Sequence, residues 1–177
     1  MKTFRLLHNI GTERHSNYNT REEVLACNDI LTFDGVYQNV LENADCWENK
    51  EVIFFVMGDY MGKDNTFDLL NVPKLEKYSH WFDIGFQKAM SHYYELYFGS
   101  LEIGWHTWSH PDLTTLTKEE IMKEITPPFP MKSFAYPYGK YNDLVIECVK
   151  EAGYERAFSV NQTDGTQWTI PRPYLNK

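Results

Sequence analysis

Two histidines four residues apart are the first feature of the sequence that could do chemistry. His106 and His110 lie in the run HTWSH, which Pro111 follows. Imidazole is a good ligand for zinc and related divalent metals, and a loop can bring two rings to one ion. The alternative is a pair of histidines that packs beside a turn. The spacing by itself supports the two interpretations about equally.

A carboxylate and a tight turn are two further features of the sequence that could do chemistry. Asp34 follows the apolar run Ile30–Phe33 and precedes Gly35. A carboxylate there can ligate a metal or act as a general base, although an Asp-Gly pair is also an ordinary turn. Residues 136–139 read Tyr-Pro-Tyr-Gly. They form either a rigid turn or a turn whose backbone N–H groups face a developing oxyanion.

Apolar runs that alternate with helix-like segments must position these residues. Two of the segments begin with capping boxes, at Thr20 and Glu23 and at Thr117 and Glu120. The alternation predicts an α/β domain with mainly parallel strands. Because sites gather at the carboxyl ends of such strands, we expect the polar residues after each strand to share one rim. The predicted strands are 30–33, 51–57, 101–105, 133–136 and 157–160, with a further candidate at 168–170, and the predicted helices include 36–44, most of 67–99 and 141–152.

Composition and charge narrow the classes of partner. The 177 residues suit a single domain, 1–177, and 42% of them are hydrophobic. The 17 basic and 25 acidic residues give a net charge of −8. An acidic chain without a basic block predicts no binding to nucleic acid or to an anionic membrane. The aromatic share, 16%, suits either a core or a ligand groove.

Cysteine usage and the first residues bear on the compartment. Cys27, Cys46 and Cys148 are widely spaced and form no CxxC pair, which favours free thiols in a reducing environment. Residues 1–10 show no secretory signal, and no apolar run approaches the roughly 20 residues of a membrane span. We therefore expect a cytoplasmic protein.

Taken in order, these motifs resemble those of the polysaccharide deacetylases of carbohydrate esterase family 4, the NodB homology domain. Residues 31–35, LTFDG, are similar to the family's first motif, TFDDG. Residues 106–110 fit its second motif, H-[ST]-x-x-H, and residues 134–139, FAYPYG, are similar to its third. Arg172, after an Ile-Pro pair, resembles a late arginine of the family. The likeness extends from about residue 30 to this arginine.

The resemblance implies a distorted or incomplete (β/α) barrel that hydrolyses an N-acetyl or O-acetyl group on a carbohydrate. It assigns a divalent metal, usually zinc, to His106 and His110. It makes Asp34 the general base, and it makes a backbone N–H at Tyr138 a donor to the oxyanion. The motifs also place four residues among those expected to bind substrate: Trp108, Tyr136, Pro137 and Arg172.

The first motif departs from the family pattern because Gly35 stands where the family has a second Asp. Anchored on Thr32 and Phe33, Asp34 is the base, and the metal lacks one carboxylate ligand. Anchored on the glycine, Asp34 is the ligand, and the base is missing. We favour the first alignment because strand alternation determines the register through Thr32 and Phe33. In the third motif, Ala135 replaces the usual arginine.

The second departure from the family pattern concerns the acid that protonates the leaving amine. The family takes it from a late histidine, and no histidine follows His110. Four histidines lie upstream, and no motif assigns any of them to this role: His8, His15, His80 and His92.

Three functional hypotheses follow. The first is a metal-dependent deacetylase of an N- or O-acetylated sugar in surface-polysaccharide metabolism, which the retained Asp34, His106 and His110 favour. The second is a catalytically inactive relative that binds carbohydrate, which the missing Asp and late histidine favour. The third is a hydrolase of non-sugar amides on the same fold, because a fold does not determine the substrate.

Overall fold

The computed structural model describes residues 3–10, 18–36, 40, 42–60, 101–160 and 165–175. The helix predicted over 67–99 lies outside the described residues, as do His15, His80 and His92 and part of the helix predicted over 36–44.

A parallel sheet of six strands forms the centre of the described fold. A short parallel pair, β2 (Asn9–Ile10) and β3 (Tyr18–Asn19), forms a second sheet. Five of the predicted strands are confirmed to within two residues at their ends, whereas β1 was not predicted from the sequence. The six strands, in their order across the sheet, are β1 (Phe4–Leu7), β4 (Ile30–Asp34), β5 (Val52–Val56), β6 (Leu101–Trp105), β7 (Ser133–Ala135) and β8 (Arg156–Phe158).

The α-helices with both ends in the described residues are α1 (Arg21–Ala26), α2 (Lys118–Ile125) and α3 (Asp143–Glu151). Both predicted capping boxes are confirmed, at Thr20 for α1 and at Thr117 for α2. Each threonine satisfies an N–H group that the first helical turn leaves without a partner. None of the described helices has the length and apolar character needed to cross a membrane.

Alternation along the strands divides the apolar residues between the two faces of the sheet. The larger cluster includes Phe33, Phe54 and Trp105 and is covered by helical residues such as Ile121 and Val145. A smaller cluster on the other face consists of Ile53, Phe55, Ala135 and Phe158. The sheet curls around the smaller cluster, so that the fold is the incomplete (β/α) barrel that was expected.

The C-terminal segment, residues 165–175, contacts both edge strands of the sheet. Ser159 N donates to Ile170 O (2.9 Å) beside β8, and Leu6 N, in β1, donates to Pro173 O (3.0 Å). The strand predicted at 168–170 is therefore reduced to an isolated bridge between Ile170 and Phe158. Because the segment spans the gap between β8 and β1, it carries its side chains into the curl of the sheet.

Candidate active site

Four of the predicted site residues lie together at the carboxyl ends of the strands. His106 Nε2 is 3.6 Å from Asp34 Oδ2. The ring centroids of His106 and His110 are 4.7 Å apart, and those of His110 and Tyr138 are 4.6 Å apart. The expectation that these residues share one rim is confirmed.

The imidazoles of His106 and His110 are neutral, and each can offer a nitrogen lone pair to a metal ion. His106 Nδ1 lies 2.8 Å from Ala135 O, and because a carbonyl only accepts, Nδ1 carries the proton and Nε2 presents its lone pair to the site. Burial lowers the pKa of His106. Burial, followed by the charge of His106, lowers the pKa of His110 to about 3. Neutral imidazole is the form that binds a metal, and a carbonyl behind it fixes the ring orientation.

Asp34 forms a buried ion pair with Arg172. Arg172 Nη1 lies 2.5 Å from Asp34 Oδ1, and Nη2 lies 2.9 Å from Oδ2. The guanidinium, which is completely buried, stacks 5.0 Å above the centroid of Phe55. Burial by itself raises the pKa of Asp34, but the charges of Arg172 and His106 outweigh it and hold that pKa well below its usual value. Asp34 is therefore ionised.

This pairing corrects the substrate-binding role predicted for Arg172. A fully enclosed guanidinium whose two Nη atoms engage Asp34 has no surface to offer a substrate. It also donates to Thr32 Oγ1 and to Ser159 O, each at 3.3 Å. Arg172 instead orients the carboxylate and supplies a positive charge beside it. Ala135, which stands where the family has an arginine, carries no charge.

Two other predicted substrate contacts also prove to be supporting residues. Tyr136 is fully buried and donates its hydroxyl to Trp168 O (2.9 Å), and Pro137 is buried beside it. Because neither side chain reaches solvent, both shape the turn rather than the binding surface. Trp108 keeps partial exposure, while its indole Nε1 donates to Thr126 O (2.9 Å).

Tyr138 presents the exposed aromatic surface of the rim. Its side chain is 51% exposed, and its backbone has a φ of 58°, in the left-handed region. Lys140 Nζ lies 5.8 Å from the centre of its ring, and the edge contact with His110 holds the ring over the site. An exposed ring in this place can pack against a sugar. The role of the Tyr138 backbone N–H stays a prediction.

The side chains at this rim supply only some of the ligands that a divalent metal needs. His106 and His110 offer two neutral nitrogens, whereas both oxygens of Asp34 are engaged by Arg172. Gly35 leaves β4 with a φ of 64° and supplies no carboxylate. Within the described ranges, no group of three or more His, Cys, Asp or Glu residues is arranged to hold an ion. Two imidazoles, completed by water or substrate, are the ligands that the described residues offer.

His8 is a site residue that the motifs did not identify. Leu7 of β1 pairs with Phe33 of β4, so His8 and Asp34 are the next residues on two adjacent parallel strands. The His8 ring stacks against Tyr174 of the C-terminal segment, with centroids 6.1 Å apart. The charge of His8 lowers the pKa of Asp34, after the larger effects of burial and of the Arg172 and His106 charges. It also lowers the pKa of His110, after burial and the charge of His106. A histidine thus lies at the rim that lacks a late-motif histidine.

Solved structures with the same fold include several deacetylases. IcaB from Ammonifex degensii superposes with a TM-score of 0.67 at 16% identity, over 98% of this chain and 92% of that one. The Streptococcus pyogenes deacetylase PplD, in complex with acetate, superposes with a TM-score of 0.64 at 14% identity, over 98% and 91%. At these identities the similarity shows the fold alone.

Sequence comparison identifies the family. Chitin deacetylase 1 of Cryptococcus neoformans var. grubii is 35% identical over 83 residues, which cover 40% of this chain and 17% of that protein. The chain therefore matches about a sixth of that relative's length. The sequence profile described as polysaccharide deacetylase matches residues 29–157, which include Asp34, both site histidines and the Tyr138 turn. The chain belongs to the polysaccharide deacetylase family.

Proposed function

We propose that this chain removes an acetyl group from an N- or O-acetylated sugar with the help of a divalent metal, zinc being the first expectation. The observation that carries the proposal is an ionised, buried carboxylate beside two neutral imidazoles at one rim. A divalent metal held by His106 and His110 would polarise the acetyl carbonyl and a bound water.

Asp34 is the proposed general base. A carboxyl group can take a proton from water only when it is ionised, and the charge of Arg172 keeps Asp34 in that form. The two bonds from the guanidinium also orient the carboxylate, so that a lone pair can face the attacking water. Proton abstraction by a positioned side chain contributes about 10²–10⁴-fold to a rate.

His8 is the proposed general acid. Its position beside Asp34, at the end of the neighbouring strand, supports this role, because the amine leaves the same carbon that the water attacks. It is partly exposed, and stacking on Tyr174 limits the orientations of its ring. Histidine is the side chain that most often serves as a general acid or base.

Acetylated sugar polymers are the proposed substrates. The chitin deacetylase similar to this chain makes chitin oligosaccharides the first substrates to test. The exposed ring of Tyr138 supports a sugar ligand, because aromatic faces pack against the apolar side of a sugar ring. A role in surface-polysaccharide metabolism belongs to the same proposal.

Acetate release from chitin oligosaccharides, with zinc supplied, tests the proposal through Asp34→Asn. We expect turnover to fall by about 10²–10⁴-fold while bound zinc stays unchanged. Asp29→Asn is the matched control. Asp29 precedes the same strand at its opposite end, where it pairs with Arg5 at 2.8 Å, and its replacement should leave turnover unchanged.

The outcomes separate the alternatives. If Asp34→Asn lowers zinc content and activity together, Asp34 is a ligand and the proposed base is wrong. If the unmutated chain binds chitin oligosaccharides but releases no acetate, it is a carbohydrate-binding relative. Turnover of small acetylated amides but of no sugar would favour the non-sugar hydrolase.

A further inference from the structure

Glu124, on α2, holds the loop between the two site histidines by three hydrogen bonds. Its Oε2 accepts from Trp108 N (3.0 Å) and from Ser109 N (2.9 Å). Its Oε1 accepts from the Ser109 hydroxyl (2.7 Å). Hydrogen bonds to a charged acceptor are about twice as strong as neutral ones, so this carboxylate is a firm anchor for the loop.

The loop needs such an anchor because its backbone is strained. Thr107 (φ 70°) and His110 (φ 58°) both adopt left-handed conformations, which are strained at residues other than glycine. The Thr107 hydroxyl oxygen accepts from His110 N (2.9 Å) and bonds the two strained residues to each other. Released from its contacts, the loop would relax toward ordinary backbone conformations and move both imidazoles.

The opposite side of the loop is held by the turn after β5. Gly58 N donates to Thr107 O (3.1 Å), and Asp59 N donates to Trp108 O (2.9 Å). A Cβ at Gly58 would lie 2.1 Å from Trp108 Cε3, so the turn and the loop are packed without a gap. The loop is therefore held from one side by the backbone of Gly58 and Asp59 and from the other side by the Glu124 carboxylate.

We propose that Glu124 is a positioning residue that sets the metal affinity of the site without touching the metal. It fixes the backbone of Trp108 and Ser109 and thereby the directions of the His106 and His110 rings. The inference rests on the proposed function in one respect, namely that these imidazoles bind a divalent ion.

Zinc affinity measured by competition with a zinc-binding indicator tests the proposal. We expect Glu124→Ala to weaken zinc binding by about 10–100-fold, the usual effect of removing a residue that supports a metal ligand. Glu124→Gln should fall between Glu124→Ala and the unmutated chain. Its amide oxygen can accept from both backbone N–H groups, and its NH₂ group can donate to the Ser109 hydroxyl. Glu119→Ala, on the exposed side of the same helix, should leave zinc affinity unchanged.

A second measurement needs no metal. Hydrogen exchange in metal-free protein should be faster at the Trp108 and Ser109 amides of Glu124→Ala. The amide of Thr126, which donates to Met122 O within the C-cap of α2, serves as the reference. A general loss of stability would accelerate exchange at all three amides, whereas loss of the anchor accelerates only the first two.

Two results would overturn the inference. One is zinc affinity in Glu124→Ala within twofold of that in the unmutated chain, and the other is unchanged exchange at Trp108 and Ser109. If the unmutated chain binds no zinc but exchange at these amides rises in the variant, Glu124 positions the loop and the proposed metal is what fails.

Discussion

Replacing Arg172 with Met removes one half of the buried ion pair at the centre of the site. The substitution keeps most of the apolar volume of the side chain and leaves Asp34 buried without its counter-charge. Breaking a buried pair by removing one partner costs about 3–5 kcal/mol, because the remaining charge is no longer compensated. For a chain of this length, that loss corresponds to a fall in Tm of about 6–20 °C.

Arg156→Met is the matched control. Arg156 also stacks on Phe158, with 5.4 Å from its guanidinium carbon to the ring centroid, and it pairs with Glu102 at 2.5 Å. The side chains of this second pair are 33% and 29% exposed. Water therefore screens the charge that is left behind, and we expect a loss of only about 1 kcal/mol.

The pH dependence gives the effect a sign. In the unmutated chain the pKa of Asp34 is lower in the folded state than in the unfolded state. The pairing with Arg172 therefore stabilises the fold above the unfolded pKa of about 4, and this stabilisation is lost as the pH falls. In Arg172→Met, burial without a counter-charge raises the pKa of Asp34, and protonation relieves the penalty. The difference in unfolding free energy between the two proteins should be largest at pH 7 and should narrow toward pH 4.

Urea unfolding followed by tryptophan fluorescence, in the presence of a chelator, measures these differences. A double variant that also carries Asp34→Asn should recover part of the loss, because no buried charge then remains. The reasoning is refuted if Arg172→Met destabilises the fold no more than Arg156→Met does. It is also refuted if the difference from the unmutated chain stays constant between pH 7 and pH 4.

Three further predictions concern the site and its supports. Replacing His106 and His110 together with Ala should abolish zinc uptake, measured by metal analysis, while circular dichroism stays unchanged; retained zinc would contradict the assignment. Replacing His8 with Gln should lower acetate release by about 10²–10⁴-fold at unchanged zinc content, and full activity would remove His8 from the mechanism. Thr117→Ala should lower the free energy of unfolding by about 1 kcal/mol through loss of the α2 cap. Chemical denaturation measures this loss, and an unchanged free energy of unfolding would contradict it.

Local patterns in the sequence were sufficient to predict most of the described elements. The capping boxes at Thr20 and Thr117 are confirmed because a cap is made by residues three positions apart. The strand Leu101–Trp105 matches its predicted bounds because its apolar residues, Leu101, Ile103 and Trp105, alternate with the period of a strand. Asp34 and His106 meet because Asp34 ends one parallel strand of the sheet and His106 directly follows another. The single domain, 1–177, and the cytoplasmic location stay predictions.

The features that sequence patterns did not predict depend on contacts between residues that are distant along the chain. β1 is only four residues long and includes Arg5, so its pattern did not identify a strand, and His8 was left without a role. Pairing with β4 is what places His8 beside Asp34. Tyr136 has the composition of a binding residue, and burial alone decides that it supports the turn instead.

The sequence by itself determined the family motifs, the helix caps and the strand ends at which polar side chains collect, because each of these depends on neighbours along the chain. Only the tertiary structure decided that Arg172, 138 positions after Asp34, neutralises that carboxylate. The C-terminal segment brings the arginine into the curl of the sheet by bonding to β8 and β1, the two edges of the sheet. Such an ion pair leaves no periodic signal in the sequence, because its partners become neighbours only when the sheet has curled and its edges have been joined.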